Sequence, residues 1–305
     1  MAGLAVYTTV YPGVEPYLAA WSSSVRRQTD QDFRLWIGLD ALDVDAAKAA
    51  MGGGLEAEWV LGRRGDTPAS LRQRALAQIA DRYDAVVLVD SDDVLHTTRV
   101  ATARALLGSH DLTACALTLV DEQGSSMDMT FTVPSGVAPE AVLPRTNAFG
   151  LSNTAFRSET LRRCLPIPDA VALVDWFLAT RAWLFGARLW FDRRVEMDYR
   201  QHGANMARVR GPYSEDQVVR DTERVRAHFR LVRASDLEAA DPRRLAELDA
   251  AARDVELFHD RVVARPAVLA RYVASLNALC TTALWWAWVA HPSLRYLWAT
   301  EEGTA

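Results

Sequence analysis

The chain is poor in the residues that mark several protein classes. Cysteine occurs only three times among 305 residues, at Cys115, Cys164 and Cys280, and no two of these form a C-x-x-C pair. This spacing excludes the disulfide framework that small secreted domains use. We therefore expect a reducing, cytoplasmic setting.

Lysine is almost absent. Because Lys48 is the only one, any phosphate group must be held by arginine, by backbone N–H groups or by a metal ion. Basic residues are also outnumbered by acidic ones, and the net charge of −5 with a pI near 5.7 lacks the basic excess of nucleic-acid-binding proteins. We expect no nucleic-acid partner.

The sequence shows neither a leader pattern nor a long hydrophobic run. No basic segment precedes the first apolar residues, so we expect no signal peptide. The Trp-rich run at residues 284–289 is too short for a membrane span and is expected to belong to the core or to a dimer contact. Attachment to the inner face of a membrane is the minor alternative, because Arg271 and Arg295 give only a sparse basic flank.

Half of the residues are apolar, which is ample for a core, and strand and helix patterns alternate. The predicted strands are residues 4–10, 33–39, 58–61, 85–89, 112–120 and 188–191. The predicted helices are residues 16–27, 43–51, 66–81, 97–107 and 175–186. The polar stretch 121–144 is either a loop or a hairpin. This alternation favours an α/β fold with a doubly wound, mostly parallel sheet flanked by helices.

The composition changes near residue 214, after which no glycine occurs until Gly303. Alanine, arginine, leucine and acidic residues dominate, which predicts an α-helical tail with breaks before Pro242 and Pro266 and a last helix over residues 268–290. We therefore expect a domain over residues 1–213 and a helical extension over residues 214–305. The apolar last helix prompts the hypothesis of a homodimer formed through this extension.

The acidic end of the fourth predicted strand indicates a metal ion. Residues 85–93 read Ala-Val-Val-Leu-Val-Asp-Ser-Asp-Asp, a buried strand that ends in three carboxylates. Ligands of open α/β sheets bind at the carboxyl ends of the strands. Because three acids repel one another there without a cation, we interpret Asp90-x-Asp92 as half of a Mg²⁺ or Mn²⁺ site. Asp93 alternatively caps the next helix.

Further segments follow a recognisable order along the chain. They are Tyr7-Thr8-Thr9-Val10-Tyr11-Pro12, Asp40, Leu71-Arg72-Gln73-Arg74-Ala75-Leu76, Val89-Asp90-Ser91-Asp92-Asp93, Val174-Asp175-Trp176 and Tyr199-Arg200-Gln201-His202-Gly203-Ala204-Asn205. With these segments the chain resembles the family-2 glycosyltransferases of GT-A fold, over roughly residues 4–209. An acidic strand end, an Asp-Trp pair and a Tyr-Arg-x-His-x-x-Asn segment are specific when they occur in this order.

The resemblance implies a metal-dependent, inverting transfer of a sugar from a nucleoside-diphosphate sugar, UDP by default. The acceptor would be a hydroxyl of a saccharide, a lipid-linked glycan or a small natural product. Asp175 would be the catalytic base, and Asp92 and His202 would hold Mn²⁺ or Mg²⁺. The nucleotide sugar is expected at Thr8, Thr9, Tyr11, Asp40, Arg72, Asp90 and Ser91. Weaker candidates for the acceptor or donor-sugar cleft are Ser152, Asn153 and Trp176.

Two positions depart from the family pattern. Val174 stands where the family has a first acid, and Gln73 stands where it has asparagine. These departures leave the donor sugar open. Several of the site residues also have structural alternatives. Asp40 could be a turn acid, Arg72 a solvated helix residue, Asp175 a helix cap and His202 a structural histidine.

Other functions compete with sugar transfer. One is a catalytically silent module that binds a nucleotide sugar or a partner enzyme. Another is a haloacid-dehalogenase-like phosphatase, which needs a lysine downstream of Asp90, whereas no lysine follows Lys48. A nucleotidyltransferase would have a Gly-rich, basic loop after the first strand, which this chain lacks.

Overall fold

The structure, a computed structural model of the protein, describes residues 3–203, 205–207, 209–279 and 284–299. Among these residues, a single sheet of nine strands is accompanied by ten α-helices. The strands are β1 (Leu4–Val10), β2 (Arg34–Leu39), β3 (Glu58–Leu61), β4 (Ala85–Leu88), β5 (Val94–Leu95), β6 (Leu112–Val120), β7 (Ser126–Phe131), β8 (Thr154–Arg157) and β9 (Leu189–Arg200). The helices are α1 (Glu15–Arg26), α2 (Val44–Ala50), α3 (Pro68–Arg82), α4 (Arg99–Leu106), α5 (Pro139–Val142), α6 (Ser158–Cys164), α7 (Val174–Leu184), α8 (Glu215–Ala234), α9 (Pro242–Phe258) and α10 (Pro266–Ala278).

The sheet has the order β3-β2-β1-β4-β8-β6-β9-β5, and β7 pairs with β6 in addition. Strands β1 to β4, β6 and β9 run in one direction, whereas β5, β7 and β8 run in the other. The expected α/β fold with a doubly wound, mostly parallel sheet is therefore confirmed. The polar stretch after β6 forms a hairpin with β7, one of the two alternatives that the sequence left open.

The parallel half of the sheet brings distant residues to one edge. Strand β1 lies between β2 and β4, and all seven of its residues are buried, as expected for a central parallel strand. Val10 pairs with Leu39, and Tyr7 pairs with Leu88, so β1, β2 and β4 end at the same side of the sheet. Chain segments that follow these strands converge at that carboxyl edge, where ligands of such sheets bind.

Helix α3 begins where the sequence predicts. The Thr67 Oγ1 accepts a hydrogen bond from the Ser70 N–H at 3.1 Å, and the Ser70 Oγ accepts one from the Thr67 N–H at 3.3 Å. This reciprocal capping box satisfies two N–H groups that have no partner within the helix, and Pro68 is tolerated in the first turn. The cap fixes α3 beside the carboxyl edge.

Strand β9 is much longer than the predicted strand 188–191. The predicted strand ended at Phe191, and the next three residues, Asp192, Arg193 and Arg194, are all charged. Glu196 is nevertheless only 4% exposed, since its carboxylate accepts hydrogen bonds from Thr98 at 2.6 Å and Thr102 at 2.9 Å. Partners from α4 and its N-terminus make a buried acid tolerable in the strand. The elements β8 and α6 were not predicted.

The predicted last helix over residues 268–290 is confirmed up to Ala278 and is wrong from residue 284 onward. Helix α10 ends at Ala278, residues 280–283 lie outside the described residues, and Trp286 has a φ of 70°, which a helix excludes. The Trp288 indole N–H donates to Asp221 Oδ2 at 2.9 Å, and its carbonyl accepts from the Tyr272 hydroxyl at 2.7 Å. These two hydrogen bonds of Trp288, rather than helical propensity, determine the backbone conformation of this segment.

The Trp-rich run packs against the chain itself. Trp285, Trp286 and Trp288 are all less than 5% exposed, so the expectation of a core role is confirmed. A π-helical turn at His259–Val263 follows α9, and a 3₁₀ helix at Pro292–Leu297 comes later. Within the residues that the structure describes, each helix is too short or too polar to span a bilayer.

The helical region after residue 214 contacts the sheet-bearing region directly. The Trp176 ring of α7 stacks on His228 of α8, with centroids 4.1 Å apart and planes inclined by 10°. The Asp241 N–H donates to the Leu184 carbonyl at 2.8 Å. A division at residues 213 and 214, and dimerisation through the extension, stay predictions.

We expect Trp288→Phe to lower the free energy of unfolding by about 1–3 kcal/mol, because it removes the indole N–H from the buried Asp221 carboxylate while keeping an aromatic ring. Urea denaturation followed by circular dichroism measures the change. The matched control is Trp190→Phe at a ring that is 44% exposed, for which a change within about 0.5 kcal/mol is expected. Equal losses in the two variants would contradict the role given to the Asp221 contact.

Candidate active site

A cleft of about 630 Å³ opens at the carboxyl edge of β1, β2 and β4. Both polar and apolar residues line it. Its polar residues include Thr9, Tyr11, Asp40, Thr67, Arg72, Asp90, Asp92, Ser152 and Asp175. Its apolar residues include Leu151, Ala170, Val171, Ala172, Leu173, Val174, Met206, Ala207, Trp285 and Trp286.

Three carboxylates crowd the end of β4. Burial and the neighbouring Asp92 charge together raise the pKa of Asp90 to about 6, although Arg72 opposes the shift. Burial also raises the pKa of Asp93 well above its ordinary value. The Ser152 hydroxyl lies 2.9 Å from Asp90 Oδ2 and contacts Asp93 Oδ2 as well.

The last strand brings the histidine to this cluster. His202 Nε2 lies 2.9 Å from Asp92 Oδ2, and the two side chains are 7% and 8% exposed. Arg200, at the end of β9, donates its N–H to Asp93 Oδ1 at 2.7 Å and its Nε–H to the Asp92 carbonyl at 2.9 Å. The Tyr17 ring lies between the Arg200 guanidinium and the His202 imidazole, at 4.9 Å and 5.1 Å. The fold thus brings together two predicted site residues that lie 110 positions apart in the sequence.

The donor set fits a hard divalent cation. Among the described residues, no group of three or more His, Cys, Asp or Glu side chains is spaced to hold a metal ion alone. Mg²⁺ and similar ions are often held by one or two protein ligands together with substrate phosphates and water. Three acids at positions 90, 92 and 93, of which Asp92 and Asp93 are buried, are the observation that favours positive charge at this position.

Asp175 lies in the first turn of α7 and reaches the same cleft. The Asn147 Nδ2–H donates to its Oδ2 at 2.9 Å. Burial raises the pKa of Asp175 to about 6, while backbone N–H groups at the helix start, Arg72 and Asn147 oppose the shift. A carboxyl group with a pKa near 6 is suited to accept a proton near neutral pH.

Arg72, in α3, faces both carboxyl groups. Its positive charge lowers the pKa of Asp90 and of Asp175. Its Nε is buried and has no hydrogen-bond partner among the described residues. A buried guanidinium donor without a partner is costly, which favours an anionic ligand at this point of the cleft.

Several predicted site residues lie elsewhere. The Ser91 hydroxyl is buried and donates to the Thr9 carbonyl at 2.8 Å, which fixes the loop after β4. Thr8 is buried within β1 and is not among the lining residues. Asn153 is fully buried and donates to the carbonyls of Cys115 and Ala148 at 2.8 and 3.1 Å. Trp176, in α7, is buried outside the cleft, and its Nε1–H donates to the Leu143 carbonyl at 3.0 Å.

Two further residues at or next to the cleft were not found from the sequence. Asn147, which contacts Asp175, lies two positions before a Phe-Gly pair and gave no pattern. The aromatic run at residues 284–289 was noticed, but its apolar character indicated only burial. Trp285 reaches the cleft because the Asn147 N–H donates to its carbonyl at 3.0 Å, a backbone contact that leaves no signature in side chains.

The comparisons with known proteins bear on the fold. No family model matches the sequence, and no curated protein matches it. The S. aureus TarS fragment 1–349 in complex with UDP-GlcNAc is 16% identical, with a TM-score of 0.58 over 84% of this chain and 72% of that one. The same fragment in another structure gives 15% identity and a TM-score of 0.59 over 90% and 79% of the two chains.

A second similar structure is that of another transferase. The mannosyltransferase PcManGT of Pyrobaculum calidifontis, in complex with GDP-Man and Mn²⁺, is 18% identical, with a TM-score of 0.53 over 98% of this chain and 88% of that one. At such identities the likeness establishes the fold. The chain has a GT-A-type fold, as the motif resemblance implied.

We expect Asp175→Asn to change how stability depends on pH. A folded-state pKa near 6, above the ordinary 3.8, means that the folded wild type binds the proton more tightly than the unfolded chain. The wild type should therefore lose up to about 3 kcal/mol of stability between pH 4 and pH 7, and the asparagine variant should not lose this component.

Urea denaturation at the two pH values, without divalent metal, measures the difference between wild type and variant. Asp32→Asn, at a side chain that is 94% exposed, is the matched control. Its difference in unfolding free energy from the wild type should be nearly the same at both pH values. A wild-type-minus-variant difference that is the same at both pH values would contradict the burial of an ionising Asp175.

Proposed function

We propose that the protein is a metal-dependent, inverting glycosyltransferase that moves a sugar from a nucleoside-diphosphate sugar to an acceptor hydroxyl. The convergence of Asp92 with His202, and of Arg72 and Asp175 on the same cleft, is the observation that carries this proposal. The GT-A-type fold supports it, since TarS and PcManGT share that fold and their structures hold UDP-GlcNAc and GDP-Man.

The donor is assigned to the polar residues of the cleft. Asp40 and Thr9 line it at the ends of β2 and β1, where the nucleoside would lie, and Tyr11 follows. The unpartnered Nε of Arg72 would donate to the diphosphate. Asp90 would accept from ribose. The nucleotide is UDP by default from the motif resemblance.

Asp92 and His202 are the proposed metal ligands. When bound, Mn²⁺ or Mg²⁺ stabilises the negative charge that a leaving diphosphate gains. Arg200 holds the Asp92 backbone and the Asp93 side chain in place through hydrogen bonds. That arrangement keeps the Asp92 carboxylate directed at His202 rather than at its acidic neighbours.

Asp175 is the proposed general base. The acceptor oxygen bonds to the anomeric carbon, the bond from that carbon to the diphosphate oxygen breaks, and the acceptor proton passes to Asp175. Attack from the face opposite the leaving group inverts the anomeric centre. The apolar residues of the cleft would then hold the acceptor, because five of them, residues 170–174, immediately precede the base in the sequence. A saccharide, a lipid-linked glycan and a small natural product are all compatible with this placement.

We expect Asp175→Asn to bind the donor as the wild type does and to transfer sugar roughly 10²–10⁴-fold more slowly, because the amide cannot accept the acceptor proton. Donor binding is measured by calorimetry with a nucleotide-sugar panel, and transfer by release of nucleoside diphosphate in the presence of an acceptor library. Turnover near the wild-type rate would remove the assigned role. Donor binding without product in the wild type would favour the silent binding module.

We expect Mn²⁺ to raise the melting temperature further when a nucleoside diphosphate is present, because the ion and the diphosphate would bind the folded state together. His202→Ala and Asp92→Asn should abolish this additional shift while leaving the metal-free melting curve cooperative. His110→Ala, at a histidine that packs on Trp190 rather than on the acidic cluster, is the matched control and should keep the shift. A shift that survives in both ligand variants would contradict the metal assignment.

A further inference from the structure

The catalytic carboxylate is held by a side chain that cannot titrate. Asn147 is fully buried, and its Nδ2–H donates to Asp175 Oδ2 at 2.9 Å. Its Oδ1 accepts the Phe149 N–H at 2.9 Å, so the amide has one defined orientation. With the donor end fixed in this way, one carboxylate oxygen of Asp175 is fixed as well.

Asn147 is in turn held by the C-terminal region. Its N–H donates to the Trp285 carbonyl at 3.0 Å, an antiparallel bridge between these two segments. The Trp285 ring packs against the backbone of Gly150, where a Cβ atom would lie 2.5 Å from the outer edge of the indole. Phe131 and Tyr199 contact the same ring, with centroids 4.0 and 5.5 Å away. The ring therefore has little freedom to move.

We propose that Trp285, through Asn147, orients the catalytic base, so that the segment 284–289 of the C-terminal extension is a working component of the active site. Asn147 and Trp285 are positioning residues, since they act through Asp175. This inference rests on the proposed function. It gives the Trp-rich run a task beyond filling the core, and it couples the extension to the chemistry through two hydrogen bonds.

Several other groups around Asp175 also influence its pKa. Arg72 faces it from α3 and Asp90 faces it from the end of β4, while its own N–H and that of Trp176 contact it within α7. None of these contacts depends on the Asn147 amide. Loss of the Nδ2–H donor removes stabilisation from the ionised carboxylate only, so the pKa of Asp175 should rise.

The test uses Asn147→Asp in the full chain. This change keeps the Oδ1 that accepts the Phe149 N–H and replaces the donor with a like charge. We expect kcat to fall roughly 10- to 100-fold, the range typical of partners that orient a reacting group. We also expect the acidic limb of the kcat profile to move by roughly one pH unit or more to higher pH, with the donor Kd within about twofold of wild type.

A second readout does not require activity. Carboxyl ¹³C NMR of aspartate-labelled protein, with Asp175→Asn as the assignment standard, follows the Asp175 titration directly. An upward shift of that titration in Asn147→Asp supports the inference even where no acceptor is turned over, and an unchanged titration overturns it. Absence of sugar transfer in the wild type, with the titration shifted, would defeat the proposed function alone.

Two further variants test the contribution of the extension. Gly150→Ala places a methyl group against the Trp285 ring, and Trp285→Ala removes the ring; both should lower kcat roughly tenfold or more with the donor Kd within about twofold. Thr146→Val is the matched control, because its hydroxyl donates to the Val142 carbonyl rather than to the base, and it should leave the acidic limb unmoved. A wild-type kcat in folded Trp285→Ala would overturn the role of the extension.

Discussion

Crowding of negative charge at the end of β4 is the constraint on which the site depends. Asp90, Asp92 and Asp93 lie within four consecutive positions, where burial and the neighbouring negative charges raise the pKa of Asp90 and of Asp93. The surrounding structure opposes that repulsion with the Arg200 backbone and guanidinium, and with the Ser152 hydroxyl. Strand β9 extends over twelve residues and thereby places Arg200 and the following His202 beside the acid cluster. The length of this strand is therefore tied to the position of the acids.

The region of the fold that could be predicted is the one where each strand carries its own signal. Strands β1 to β4 are short apolar runs that end at turn residues, and α3 has a capping sequence, so local chemistry defines them. The second half of β9 escaped prediction because Glu196 is buried by hydroxyl partners 94 and 98 positions away. No local pattern contains those partners. The last predicted helix ends early for a related reason, since Asp221 and Tyr272 determine where Trp288 lies.

The same distinction applies to the site. Asp92, His202, Arg72 and Asp175 lie in short segments whose order along the chain is itself informative. The fold brings Asp92, Arg72 and Asp175 to one cleft and places His202 against Asp92. Ser91 and Trp176 are neighbours of such residues in sequence, and Asn153 follows Ser152, yet the side chains of all three make packing contacts. Adjacency in a motif therefore does not predict which way a side chain points. Asn147 and Trp285 could not be predicted at all, since they join through backbone atoms that every residue has.

The two acidic positions of the cleft differ in the partner that each one has. Asp92 faces an imidazole, a group that can share a proton or a cation with it. Asp175 faces the amide of Asn147, which donates a hydrogen bond but cannot take up a proton near neutral pH. The hydrogen-bonding partner of the proposed metal ligand can itself titrate, whereas that of the proposed base cannot. Two chemically identical side chains thereby have hydrogen-bonding partners that match the two proposed roles, charge stabilisation at Asp92 and proton acceptance at Asp175.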